Sequence, residues 1–146
     1  VYENIIEETG RDGIQVGAAV EGMAIHHNTI RRYALSEDFG HIGGIQINPG
    51  SVGQVYANII ESEDNTIDMA IQFAGGEDGP TYIYNNVIIG ADFAIGFLTN
   101  MGNESSPVHV HNNTFISRYE LPTEGVSSTG TLTFCLGCAF DGRGII

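Results

Sequence analysis

Five short segments of this chain repeat one pattern, and that repetition limits the fold more than any other feature. VYENII, IHHNTI, VYANII, IYNNVI and VHVHNNTF each hold an Asn near the centre: Asn4, Asn28, Asn58, Asn86 and Asn113. The intervals are 24, 30, 28 and 27 residues. Between them runs a second block, DGIQV at 12–16, GGIQI at 43–47, MAIQF at 69–73 and FAIGF at 93–97, with GTLTF at 130–134 as a looser fifth copy. Repeats of this length are single units that bury their apolar faces only by stacking on one another. Val, Ile, Tyr and Phe at period two favour strands. Asn tolerates tight bends and left-handed backbone, and stacked Asn amides can bond in a ladder along the axis. The spacing predicts an all-β, right-handed parallel β-helix of about five coils, with an Asn ladder at one corner.

Alternation assigns the faces. In the second block, Ile14, Val16, Ile45, Ile47, Ile71, Phe73, Ile95 and Phe97 point inward, so Gln15, Gln46 and Gln72 stack outward. In the Asn block, Val1, Ile25, Val55, Ile83 and Val110 point inward, with Tyr2, His26, Tyr56, Tyr84 and His111 outside. Glu7, Arg31 and Glu61 share one offset and read as an alternating charge ladder.

Composition narrows the partners. The chain has 18 acidic residues against 5 basic ones, all Arg, and a formal net charge of -13. Such a surface repels a phosphate backbone, which argues against nucleic acid, and suits a salty or extracellular setting. No run reaches the roughly 18 apolar residues of a membrane span. Cys135 and Cys138 form a lone C-x-x-C without the second pair of a structural zinc site, so packed thiols or a local disulfide are expected. Residues 1–134 carry the repeats, and 135–146 form an irregular C-terminal segment suited to capping them. Uncapped parallel strands recruit other strands, so the chain is expected to be a fragment of a longer protein or an end-to-end homo-oligomer.

These repeats resemble those of the pectate-lyase-like parallel β-helix proteins, over residues 1 to about 134. That superfamily includes pectate lyases, polygalacturonases, alginate lyases and epimerases, and phage tailspikes. The resemblance implies a saccharide groove on the strand that follows the Asn corner and its neighbour, here the Gly-Ile-Gln block. It implies a protein that binds or acts on a polysaccharide, as a lyase or glycoside hydrolase if catalytic. The alternative is a non-catalytic adhesion, structural or assembly module.

The candidate residues follow from that face. Asp68 and Asp92 take equivalent positions on adjacent coils, where two close carboxylates can share a proton or a cation. Calcium is the one cation this pattern suggests, and the acidic run ESEDNTID at 61–68 adds oxygen ligands without the spacing of a calcium loop. Asp38 and His41, in the lead-in to GGIQI, could supply acid and base. Arg11 is the only basic residue on this face. Gln15, Gln46 and Gln72 form the hydrogen-bonding wall, above a floor of Gly13, Gly44, Ala70 and Ala94. RDGI at 11–14 and FGHIGGI at 39–45 follow the Asp-then-Gly-His order of polygalacturonases. The paired Asp is absent, however, and the Arg-x-Lys element cannot exist without Lys. The Tyr and His column is expected to brace neighbouring coils. The pairs His26-His27 and His109/His111 lie too far apart to share a metal, and no metal site is expected.

Overall fold

The computed structural model describes residues 1–36, 41–63, 68–74, 79–97 and 107–116, and the backbone of Phe134–Cys135. The chain opens with β1 (Ile5–Glu7) and β2 (Ile14–Val16). A full turn follows from β3 (Met23–His26), β4 (Thr29–Arg31) and β5 (Gly43–Ile47). The next comprises β6 (Gly53–Tyr56), β7 (Ile59–Glu61) and β8 (Met69–Phe73), and the third β9 (Thr81–Tyr84), β10 (Val87–Ile89) and β11 (Phe93–Phe97). Last come β12 (Val108–His111), β13 (Thr114–Ile116) and β14 (Phe134–Cys135). Equivalent strands pair in parallel to give three sheets: β3-β6-β9-β12, β1-β4-β7-β10-β13 and β2-β5-β8-β11-β14. They are called the first, second and third sheets below. The protein is an all-β parallel β-helix.

The turns number about three rather than five. Five Asn corners are present, but among the described residues the full turns are β3–β5, β6–β8 and β9–β11: β1 and β2 have no first-sheet strand with them, and β12–β14 end in a strand of two residues. At the start, the first sheet is reached only by a Tyr2–His26 bridge. The looser fifth block also sits differently: Phe134 pairs with Ile95, not Phe97. A slip of two residues preserves alternation, so period alone could not detect it. The expected division at 134 falls within β14. The Cys135 and Cys138 side chains, Asp38, and the C-terminal segment beyond β14 lie outside the described residues.

The core consists of stacked columns. Ile25, Val55 and Ile83 of the first sheet face Ile30, Ile60 and Ile88 of the second and Ile45, Ile71 and Ile95 of the third, none more than 2% exposed. Each buried Ile contributes about 1.5–3 kcal/mol. Val1, expected in the first column, is 58% exposed because it starts that column.

The Asn ladder runs unbroken. The side-chain Nδ2 donates to the next coil's Oδ1 from Asn4 to Asn28 (3.0 Å), Asn28 to Asn58 (2.9 Å), Asn58 to Asn86 (3.0 Å) and Asn86 to Asn113 (2.9 Å). The same Oδ1 also accepts the preceding Asn's backbone N–H, at 2.9–3.1 Å. The ladder Asn itself is not the left-handed residue. That role falls one position earlier, to Glu3, His27, Ala57, Asn85 and Asn112, with φ of 53–56°. The reversal aims the next side chain, the ladder Asn, along the axis.

Candidate functional site

The third sheet does not alternate throughout. A Cβ on Gly44 would meet Ile60 Cγ2 at 2.7 Å and Tyr33 Cε1 at 3.2 Å, so Gly44 faces the core like its neighbour Ile45. Ala70 and Ala94, at equivalent positions, are 0% and 6% exposed within the same core. Two successive inward positions mean that each strand bends there. The small residues expected to floor an outer groove are therefore core residues, chosen because a larger side chain would strike the second sheet.

The bend also changes the Gln column. Gln15 is exposed, but Gln46 and Gln72 are 3% and 0% exposed. A Cβ on Gly43 would touch Gln72 Cβ and Oε1 at 3.2 Å, and one on Gly96 would strike the Met69 thioether. Gln72 and Met69 thus lie across neighbouring coils and fill the hollow of the bend. Gln46 Nε2 donates to Asn48 Oδ1 at 2.8 Å. The Gln72 amide has no hydrogen-bond partner among the described residues. Only Gln15 keeps the outward, solvent-facing position that alternation predicted for all three.

Asp68 and Asp92 do occupy adjacent coils, but they are not a solvent-facing pair. Asp68 is 1% exposed. Its Oδ1 accepts the Asp92 backbone N–H at 3.1 Å, and its Oδ2 accepts the Ser62 hydroxyl. Its backbone carbonyl accepts from Phe93 at 3.1 Å. The carboxylate ties one coil to the next, while Asp92 is half-buried beside it.

His41 has a different setting. Its Nδ1 lies 2.9 Å from Asp12 Oδ2, with side-chain exposures of 30% for His41 and 4% for Asp12. Asp12 Oδ1 accepts the Gly43 backbone N–H at 2.9 Å. A buried carboxylate held by a strand amide therefore orients a half-exposed imidazole, an arrangement suited to donating or accepting a proton or hydrogen bond at its other nitrogen. By the β2–β5 register, exposed Arg11 lies opposite Ile42, next to His41, and Gln15 stands further along β2. Three predicted residues, Arg11, Gln15 and His41, thus share one end of the third sheet. Sequence reasoning missed Asp12 as the orienting partner, because 29 residues separate it from His41. The available signal was an Asp at the start of the repeating block; Asp68, one register position earlier on a later coil, likewise accepts a backbone N–H of the next coil.

On the first sheet, the predicted aromatic column is continuous. Tyr2, His26, Tyr56, Tyr84 and His111 stack with centroid spacings of 5.1, 4.7, 5.0 and 5.2 Å and planes within 13° of parallel. Tyr82 and His109 make a second stack at 4.8 Å. In such a column most ring faces are spent on neighbouring rings, and edges face outward. On the second sheet, Glu7, Arg31 and Glu61 fall in register as expected, with Arg31 bonded to Glu7. Arg32 pairs with Glu8 at 2.6 Å and Glu63 at 2.9 Å. Among the described residues, no three His, Cys, Asp or Glu side chains converge on a metal position, and no helix is long and apolar enough to cross a membrane.

No family model, curated protein or solved structure matches the chain.

Proposed function

We propose that this chain is a carbohydrate-binding β-helix module, engaging a polysaccharide at the β2–β5 end of the third sheet and acting outside the cell. The observation that carries this reading is the Asp12–His41 pair at 2.9 Å, its imidazole partly exposed at the end of the third sheet that also carries Arg11 and Gln15. Sugars are recognised by oriented polar groups on a rigid floor, and an imidazole fixed by a carboxylate is such a group. Arg11 adds a positive charge through which an acidic saccharide could approach a chain of net charge -13. The resemblance of the repeats to pectate-lyase-like proteins agrees with this substrate class, as an argument from fold alone.

Binding is favoured over cleavage. Glycoside hydrolysis uses two carboxylates flanking the scissile bond. Asp68 is buried against Ser62 and the Asp92 amide, and Asp12 is buried against His41. A calcium-assisted step would need oxygen ligands turned toward solvent, which these carboxylates do not offer. The experiment is a polysaccharide screen, with and without calcium, on the wild-type chain and His41→Ala. Binding lost in the variant, without product release, is the expected outcome. Product release would replace this reading with an enzymatic one, and absence of binding to any polymer would end it.

A second reading, a non-catalytic spacer or assembly rod, has one observation in its favour. The aromatic column turns its edges outward, so it braces coils and offers a sugar few open faces.

A further inference from the structure

The corner between β3 and β4 brings two imidazoles together in a way no other described corner repeats. His26 Nδ1 and His27 Nδ1 are 2.9 Å apart, with ring planes at 89°. His26 belongs to the stacked column and is clamped between Tyr2 at 5.1 Å and Tyr56 at 4.7 Å. His27 is exposed and occupies the left-handed corner position, φ 56°, which turns its side chain back toward His26. One ligand is therefore fixed and the other adjustable.

We propose that His26 and His27 form a two-nitrogen chelate for a divalent transition-metal ion of the copper(II) or nickel(II) kind. The separation, the length of the hydrogen bond in the metal-free pair, also fits that class. Imidazole nitrogens sit about 2.0–2.1 Å from such ions, so two of them at right angles lie about 2.9 Å apart. A tetrahedral ion would spread the same pair to about 3.3 Å. Adjacent nitrogens at right angles belong to the square-planar or tetragonal arrangement that copper(II) and nickel(II) adopt, and copper(II) binds nitrogen sites most tightly of the divalent series. Without metal, one Nδ1 carries a proton and donates it to the other. With metal, both rings hold their proton at Nε2, and a turn of the exposed His27 ring aims both Nδ1 lone pairs at one point. The remaining positions fall to water. Glu3 holds the equivalent corner position one coil earlier and adds negative charge nearby. This site is separate from the one around His41, which lies on the third sheet.

The chain itself supplies the control. Ala57 occupies the left-handed corner of the next coil at φ 53°, so His27→Ala reproduces a corner that already folds. Copper(II) chloride is titrated calorimetrically into the full chain, His27→Ala and the double variant His109→Ala/His111→Ala, with tyrosine fluorescence followed in parallel, since Trp is absent. The wild type should bind one copper(II), with quenching of Tyr56 and Tyr2 and with electron paramagnetic resonance coupling from two imidazole nitrogens. His27→Ala should weaken binding at least tenfold, about the loss that disturbing even a partner behind the ligands produces, and reduce the coupling to one nitrogen. The double variant should match the wild type. Equal affinity in His27→Ala, loss in the double variant instead, or no binding at millimolar copper(II) would each overturn the proposal.

Discussion

The ladder asparagines differ sharply in what each one carries. Asn58 is fully buried, and its Nδ2 reaches Ile25 O at 2.9 Å, Tyr56 O at 3.1 Å and Asn86 Oδ1 at 3.0 Å. Its Oδ1 holds both the amide and the side chain of Asn28. Replacement by Ala leaves those partners buried and unpaired, which costs about 2–4 kcal/mol. Asn4, exposed at the start of the ladder, has water as its alternative. Asn4→Ala should cost about 0.5–1 kcal/mol. Urea denaturation checks this: the Asn58→Ala midpoint should fall well below that of Asn4→Ala at unchanged slope. Single residues also explain where reading by pattern stops. The Asn column is legible because each Asn sits at one offset from a period-two run. The Asp12–His41 pair is not, because a long connection sets it and no spacing rule reaches across.

At the level of the strand, alternation predicts faces only while a strand stays straight. It holds for the first sheet, where Ile25, Val55 and Ile83 are buried and their neighbours form the aromatic column. It fails in the third sheet, where the bend turns Gly44 together with Ile45, and Ala70 together with Ile71, toward the interior. The small residues were the visible sign of that bend, since only a minimal side chain fits against Ile60 and Tyr33. The aromatic column yields its own expectation. Tyr56 is stacked on both faces, whereas Tyr2 is stacked on one and is 60% exposed. Tyr56→Ala should cost about 1–3 kcal/mol and Tyr2→Ala less than about 1 kcal/mol. Thermal unfolding followed by circular dichroism separates the two.

For the whole molecule, stacked repeats give a rod whose coils contact chiefly their neighbours, so a local site is held by the coils next to it. The polar columns are largely turned to that purpose: the Asn ladder, Asp68 and the Arg31 and Arg32 pairs all join coil to coil. Exposed ion pairs of this kind add at most about 1 kcal/mol each. Around His41, by contrast, the end of the third sheet turns an oriented polar group toward solvent. The most direct measurement is amide chemical-shift mapping by nuclear magnetic resonance while a bound polysaccharide is titrated in. The account predicts shifts centred on Arg11–Gln15 and His41–Gly43. Shifts confined to Tyr82, His109 and the rest of the first sheet would contradict it.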